Sequence, residues 1–296
     1  MPRKKVVSWS QLSMYDACPR QWKLSYIDKL AKRESSIHLI FGIAMHNVIQ
    51  SYLKTLYAST VREANELPLM EMLETDMKKR FTSAYEKQGT FPATKEEMLE
   101  FFYDGEKILN YLVSHQNEYF PKKNHRLLGI EKSLSDPIND GLNFIGYLDV
   151  VILNEATNTI KIMDLKTSTN GWNKWQKADK GKTNQLLLYK HFYSKLYEVE
   201  LKDIEVEFLI VKRKLYENVD YYQKRFQKVK PASGKPSIGK VLRTFEAFLD
   251  AAFDESGAYK TERNYIAVAG KNKKNCRWCE FADQPEHCDP IDRLKE

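Results

Sequence analysis

Two aspartates and a lysine have the types and spacing of a site that binds a cation beside a water molecule. Asp149 lies in the apolar segment 142–153. Asp164 is the last but one residue of a second apolar segment, 159–165, and Lys166 directly follows that segment. Both segments are rich in β-branched and aromatic residues, which is typical of strands. The four turn-prone residues between them, Glu-Ala-Thr-Asn, predict that the two strands form a hairpin.

The pairing register of this hairpin decides whether the aspartates meet. With Asn154 paired to Thr159, the two aspartates stand opposite each other, and Tyr147 stands opposite Lys166. Because side chains alternate along a strand, all four would lie on one face of the sheet. A shift of one residue would put the aspartates on opposite faces.

Two adjacent carboxylates at the edge of an apolar face are costly unless something neutralises them. A divalent cation does so, and oxygen ligands favour Mg²⁺ or Mn²⁺. A lysine beside them, such as Lys166, can orient or help to deprotonate an attacking water and stabilise charge on a phosphate. A structural group of ion pairs between the same three residues fits the spacing equally well.

The four cysteines form a second candidate site. Cys276, Cys279 and Cys288 lie close together near the C-terminus, and Cys18 lies near the other end of the chain. The start of the chain has basic residues without the apolar stretch of a signal peptide, so we expect a cytoplasmic location, where disulfides are not expected. Four thiolates suit either Zn²⁺ or an iron–sulfur cluster, and residue chemistry alone does not separate the two.

The composition is that of a globular, basic protein. The 296 residues carry a formal net charge of +7. No apolar run approaches the roughly 18 residues that cross a membrane, so a membrane partner is not expected. Clustered charge with aromatic neighbours predicts a nucleic-acid partner, although each cluster alone also fits a solvated surface. The clusters lie at 122–126, 177–182, 212–214, 224–235 and 271–274.

The pattern of apolar residues predicts an α/β (α+β) fold, a mixed sheet flanked by helices. The first 120 residues are mainly helical, and strands follow at 127–134, 142–153 and 159–165. Helices are predicted at 11–16 with Ser10 as the cap and a break at Pro19, and at 41–57, 67–88, 95–119, 183–197 and 237–253 with Ser237 as the cap. Further strands are predicted at 204–211 and 216–226, and the cysteine-bearing tail is irregular.

Several short motifs, in order, resemble the PD-(D/E)XK nucleases. The segments 146–151 (Gly-Tyr-Leu-Asp-Val-Val) and 162–168 (Ile-Met-Asp-Leu-Lys-Thr-Ser) are similar to the active-site hairpin of that family. The similarity is greatest to the branch of the RecB and AddB nuclease domains and the CRISPR-associated iron–sulfur exonucleases. The other matching residues, within a resemblance that spans about 8–288, are Ser10, Tyr15, Cys18, Pro19, Arg20, Gly42, His46, Glu131, Gln185 and Tyr189.

The resemblance implies a role for each matching residue of the site. Asp149 and Asp164 would ligate Mg²⁺ or Mn²⁺ together with the backbone carbonyl of Leu165, and Lys166 would act on the water. His46 would supply a nitrogen ligand, which favours Mn²⁺. The acidic residue before the hairpin, Glu131, would belong to the metal site or support it. Gln185 and Tyr189, one helical turn apart, would face DNA, with ordinary helix packing as the alternative.

For the cysteines, the resemblance implies a 4Fe-4S staple formed by Cys18, Cys276, Cys279 and Cys288, with Zn²⁺ as the alternative. The restriction-endonuclease-like core would span 121–255, after a helical region at 1–120 that contributes Cys18 and His46. The region 256–296 would pack with the N-terminal region. We expect a structural role for the cluster, because it would close a very long loop.

The sequence therefore predicts a metal-dependent DNA nuclease, more specifically an exonuclease for single-stranded or frayed ends in recombination, repair or replication. The basic loops 174–182, 212–214 and 224–235 would hold the strand. Trp172, Trp175 and the tyrosines of 216–222 would stack on bases, with buried packing as the alternative for the two tryptophans. No Walker-type loop is present in the sequence, so unwinding would need a partner such as a helicase or recombinase. A non-catalytic DNA-binding or assembly module is the alternative. Polarity of digestion and oligomeric state are left open.

Overall fold

The computed structural model describes residues 5–32 and 34–295, so the first four residues of the basic start lie outside it. Six strands form one mixed sheet. They are β1 (Lys5–Ser8), β2 (His125–Pro137), β3 (Leu142–Asn154), β4 (Thr159–Ser168), β5 (Ile204–Lys212) and β6 (Phe226–Val229). Strands β2, β3 and β4 are consecutive antiparallel neighbours, whereas β5 runs parallel to β4.

Helices cover both faces of the sheet. They are α1 (Trp9–Ala17), α2 (Pro19–Trp22), α3 (Ile37–Ala58), α4 (Val61–Asn65), α5 (Leu69–Gln88), α6 (Lys95–Ser114), α7 (Gln116–Tyr119), α8 (Lys174–Ala178), α9 (Lys180–Tyr197) and α10 (Lys235–Ala252). A π-helical turn spans Lys23–Ile27, and 3-10 turns lie at Leu201–Asp203, Lys271–Lys273 and Pro290–Asp292. Among the described residues, no helix combines the length and the apolar character needed to cross a membrane.

Each face of the sheet has its own apolar core. Leu148, Val151, Ile162 and Ile210 pack with residues of α1, α9 and α10. The alternate residues of the same strands, among them Val150, Met163 and Leu209, pack with α3, α5 and α6. This is the mixed α/β arrangement that the apolar pattern predicted, and it is consistent with the restriction-endonuclease-like core that the resemblance implied. Helix α9 makes the crossover between the parallel strands β4 and β5, which is why a helix separates them in the chain.

Most of the predicted elements are confirmed, but four details were wrong. The helix at 11–16 begins at Trp9, so Ser10 lies inside it rather than at its cap. The last helix begins at Lys235 after Gly234, because Pro236 is tolerated in a first turn, so Ser237 is not its cap. Strand β1 was not predicted, since four residues are too few to show a period.

The fourth error is the strand predicted at 216–226, which is a loop as far as Arg225. The side chain of Gln223 accepts a hydrogen bond from Tyr216 N over 2.9 Å and donates one to Tyr216 O over 2.7 Å. The Gln223 side chain therefore satisfies the backbone groups of Tyr216 that a partner strand would otherwise bond. The tyrosines of this segment are exposed.

Candidate active site

A gap along one edge of β3 creates the site. Strand β2 pairs with one edge of β3 over most of its length, so β1 and β4 must share the other edge. The pairs with β1 end at Ile145, and the pairs with β4 begin at Val150. The intervening edge has neither neighbour, and Asp149 lies in it.

The register of the hairpin is the one that the sequence predicted. Val151 pairs with Ile162 and Asn154 with Thr159, and the ladder ends at Val150 and Met163. Beyond that pair the strands separate, and the Asp149 side chain, rather than its backbone, forms the next hydrogen bond to β4. Its Oδ2 accepts a hydrogen bond from Leu165 N over 2.7 Å.

The alternation assumed for β3 is wrong at Asp149. Leu148 and Val151 pack in the same core, and Val150 packs in the opposite one, so the faces change over at residue 149. Across the ladder, Glu131 lies between the residues that pair with Val150 and Leu148, and its backbone is left-handed with φ of 48°. A non-glycine residue in that region is strained, and such strain is typical of functional sites.

Helix α3 brings two polar side chains to this break. His46 Nδ1 lies 3.7 Å from Asp149 Oδ2. One turn further along, Gln50 Nε2 donates hydrogen bonds to Glu131 Oε1 over 2.6 Å and, more weakly, to Asp149 O over 3.4 Å. The helix can come this close because residue 42 is glycine: a Cβ atom there would stand 3.0 Å from Thr167 Oγ1.

Strand β4 supplies the second aspartate and the lysine. The Asp164 side chain is almost fully buried, and Lys166 Nζ lies 2.8 Å from its Oδ2. That oxygen has no well-aligned hydrogen-bond donor in the described structure, so the contact with Lys166 is an ion pair in character. A buried carboxylate oxygen with so few partners is costly unless a further positive group compensates it.

The charges of the site perturb one another strongly. Burial raises the pKa of Asp149 well above its ordinary range, and the Asp164 charge raises it further, against Lys166 and the Leu165 amide. Burial alone would lower the pKa of Lys166, but Asp164 and Asp149 raise it above its ordinary value. Burial lowers the pKa of His46, which favours the neutral imidazole. Two buried acids, a protonated lysine and a neutral histidine therefore converge.

Residues 6–284 match the PD-(D/E)XK nuclease superfamily. The chain belongs to this superfamily. A solved structure of a candidate exonuclease from Eubacterium rectale is similar over 83% of this chain and 79% of that one, with 14% identity and a TM-score of 0.49. At that level the likeness by itself assigns no activity. No curated protein matches the chain in sequence at a significant level.

Nucleases of this superfamily generally use divalent metals such as Mg²⁺, and the donor set of this site fits one. Asp149 and Asp164 offer oxygen ligands, and the lowered pKa of His46 favours the neutral form that can bind a metal. Burial and the Asp164 charge raise the pKa of Asp149. A bound cation would lower that pKa again. As placed in residues 5–32 and 34–295, no three acidic, histidine or cysteine side chains close on a common point. The residue types therefore fit a divalent cation.

Gln185 and Tyr189, which were expected to face DNA, lie on α9. The Tyr189 side chain is buried. Gln185 Nε2 donates to the Tyr189 hydroxyl over 3.2 Å. The ring of Tyr189 packs on Gly146, where a Cβ atom would stand 2.7 Å from Cε1. The absence of a side chain at Gly146 therefore makes room for the Tyr189 ring. Burial raises the pKa of Tyr189, and Asp164 lies near enough for its charge to raise that pKa further.

The four cysteines come from both ends of the chain and lie near one another, although as placed no three of them close on a common point. They line one small cavity of about 10 Å³, and none forms a disulfide. Burial raises the pKa of Cys279, and the other three thiols raise it further. Val268 N donates to Cys18 Sγ over 3.3 Å, and Arg293 donates to the carbonyl of Cys288 over 2.7 Å.

Gln50 is the residue of the site that sequence reasoning missed. It is 3% exposed, in the middle of the apolar stripe of α3. A polar residue inside such a stripe, four positions after His46, is a signal that points to the same face of the helix.

Proposed function

We propose that this chain is a metal-dependent deoxyribonuclease, and that Asp149, Asp164, Lys166 and His46 form its cutting centre. The observation that carries the proposal is the burial of two aspartates together where β3 and β4 separate, with an ion-paired lysine beside them. Such an arrangement is costly for a fold and useful for binding a cation and a phosphate.

Each residue has a chemical task in this proposal. Asp149, Asp164, the Leu165 carbonyl and His46 would hold Mg²⁺ or Mn²⁺, which when bound supplies charge neutralisation at the scissile phosphate and a more acidic water. Lys166 stays protonated because its pKa is raised, so it acts as a donor that orients the water and stabilises negative charge on the phosphate. Glu131 and Gln50 fix the position of the Asp149 backbone.

We infer further that the enzyme is an exonuclease of the RecB and AddB type for single-stranded or frayed DNA ends, acting in the cytoplasm. The support is the ordered set of motifs from Ser10 to Cys288. A helicase or recombinase would supply such ends, because the sequence has no nucleotide-binding loop of its own.

We propose that Cys18, Cys276, Cys279 and Cys288 hold a structural 4Fe-4S cluster. Their convergence from both chain ends supports a shared four-thiolate group. Zinc is the second candidate, because four thiolates also suit a single Zn²⁺ ion. Iron, sulfide and zinc contents of anaerobically purified protein decide between the two.

The cleavage assay uses single- and double-stranded DNA labelled at the 5′ or the 3′ end, with Mg²⁺ or Mn²⁺. The wild type should cut in a metal-dependent manner, and Asp164→Asn should lose at least roughly 100- to 1000-fold in rate. Asp140→Asn, in an exposed turn, is the matched control. If the wild type binds DNA but cuts no substrate with either metal, the chain is a binding module instead.

A further inference from the structure

A largely exposed tryptophan stands on a short, capped helix that follows strand β4 in the chain. Trp175, on α8, is 73% exposed. The side chain of Asn173 accepts hydrogen bonds from the backbone N–H groups of Trp175 and Gln176, each over 3.0 Å, and Gln176 bonds back to Asn173 N. Exposing so large an apolar ring costs free energy in water, and the cap fixes the helix that presents it.

The loop that leads to Trp175 is tied to the sheet. Gln227 on β6 accepts a hydrogen bond from Trp172 N over 2.8 Å and donates one to Trp172 O over 3.1 Å. Gly171 has a left-handed backbone with φ of 91°, and a Cβ atom there would stand 2.8 Å from the Lys212 side chain. The loop is therefore held against β5 and β6, with Lys212 beside it.

Three cationic side chains, those of Lys177, Lys212 and Arg225, act on one another at this point. Lys212 and Arg225 face each other across β5 and the start of β6, where Lys212 N donates to Arg225 O over 2.8 Å. Like charges opposite each other destabilise a sheet. Burial lowers the pKa of Lys212, and the charges of Arg225 and then Lys177 lower it further. The geometric link is Gly171, three residues before α8, which lies against the Lys212 side chain. Within residues 5–32 and 34–295, neither Lys177 nor Lys212 forms an ion pair.

The sheet places this group beside the catalytic centre. Lys166 pairs with Ile210 and Ser168 with Lys212, so Lys212 is one strand away from β4 and two residues beyond Lys166. Two residues of strand span about 7 Å. Asp164, Lys166 and Ser168 alternate onto the same face as Phe208, Ile210 and Lys212.

We propose that Trp175, Lys177 and Lys212 form a binding site for one nucleotide of single-stranded DNA, directly beyond the nucleotide at the cutting centre. The base stacks on Trp175, and the phosphate lies between the two lysines. Stacking of this kind needs an unpaired base, which names single strands as the substrate class. This inference rests on the proposed nuclease function, whose strand it positions.

The test measures binding without cutting, with wild type and variants in EDTA and fluorescein-labelled oligothymidylate. Trp175→Ala should weaken binding roughly 5- to 100-fold, and Trp175→Phe should retain most of it. Trp278→Ala is the matched control, because Trp278 is 90% exposed in the C-terminal region. On an abasic deoxyribose-phosphate strand, Trp175→Ala should bind like the wild type.

The lysines should show the opposite pattern. Lys177→Gln and Lys212→Gln should weaken binding of both strands and lower the slope of log K against log salt by about 0.7 each. Lys123→Gln, an exposed lysine at the opposite end of the sheet, should change neither. If Trp175→Ala binds oligothymidylate as the wild type does, or if it weakens abasic binding equally, the site is overturned.

Hydrolysis of bis(p-nitrophenyl) phosphate with Mn²⁺ separates this inference from the nuclease proposal. Such a small diester reaches the centre without the nucleotide site, so Trp175→Ala should hydrolyse it at the wild-type rate. If the wild type hydrolyses neither DNA nor the diester, the nuclease proposal is overturned. If Trp175 still contributes to strand binding in that case, the proposal of a nucleotide-binding site stands. A slower diester reaction in Trp175→Ala would overturn the site, since the defect would then lie in the centre itself.

Discussion

Gln50 Nε2 donates a 2.6 Å hydrogen bond to Glu131 Oε1, and the two residues join α3 to β2 directly behind the aspartates. Glu131 is the strained residue opposite Asp149, so this bond holds the strand irregularity in place. The weaker bond from Gln50 to Asp149 O reaches the other strand of the pair. A single buried amide therefore fixes both sides of the break from which the site is built.

Replacing this amide should weaken metal binding. Gln50→Leu keeps the volume but removes the donor, so Glu131 loses its partner and the Asp149 backbone is free to shift. Losses of about 10- to 100-fold in metal affinity are typical when a supporting hydrogen bond is removed. We expect the Mn²⁺ concentration for half-maximal cleavage to rise by that factor. Asn47→Ala, on the same helix but bonded to Asp76, is the control and should leave the Mn²⁺ dependence unchanged.

The close approach of α3 to β4 makes a prediction that a second substitution should reverse. In Gly42→Ala the new Cβ stands 3.0 Å from Thr167 Oγ1, so α3 must move by a few tenths of an ångström and carry His46 with it. We expect the cleavage rate to fall up to about 10-fold, since small misplacements of catalytic groups are costly. Thr167→Ala removes the hydroxyl, so the double variant should recover most of the rate. A double variant no faster than Gly42→Ala would show that the contact does not position His46.

The sequence predicted the hairpin and its register because apolar periodicity and a short turn determine both. The pairs from Val150 to Asn154 follow the predicted register. It also predicted that Asp149, Asp164 and Lys166 would meet. What alternation alone misses is the change of face at Asp149, which lies across the ladder from the left-handed backbone of Glu131. A left-handed glutamate leaves no mark in a hydrophobic pattern.

Contacts between distant segments explain the other differences. A strand was predicted at 216–226, where aromatic residues are frequent. The shape of the loop 213–225 is instead set by a partner on α6 and by Gln223. Gln50 was missed for a similar reason, since its role depends on Glu131, far along the chain. Local sequence patterns predict helices and strands. The role of a polar residue in an apolar stripe can be assigned only when its partner in the folded structure is known.

The anchor of that loop should be important for stability. Arg213 Nη1 lies 2.7 Å from Asp104 Oδ2, and both side chains are largely buried. Arg213→Met leaves Asp104 with Lys214 alone, so we expect a loss of about 2–4 kcal/mol in the free energy of unfolding in urea. Lys214→Met should cost about 0–1 kcal/mol, because Lys214 is 37% exposed. The pair Arg213→Met with Asp104→Leu should lose less than Arg213→Met alone, and a larger loss would contradict a buried ion pair.

The cysteines make a prediction about additivity. If Cys18 and Cys279 bind one metal group, either Cys18→Ala or Cys279→Ala should release it and lower the melting temperature by roughly 5 °C or more. The double variant should then melt no lower than the worse single variant, because the shared group is already lost. Four independent thiols would instead give small effects that add. Melting curves, read together with the iron and zinc contents of each variant, distinguish a shared site that joins the two chain ends from four separate cysteines.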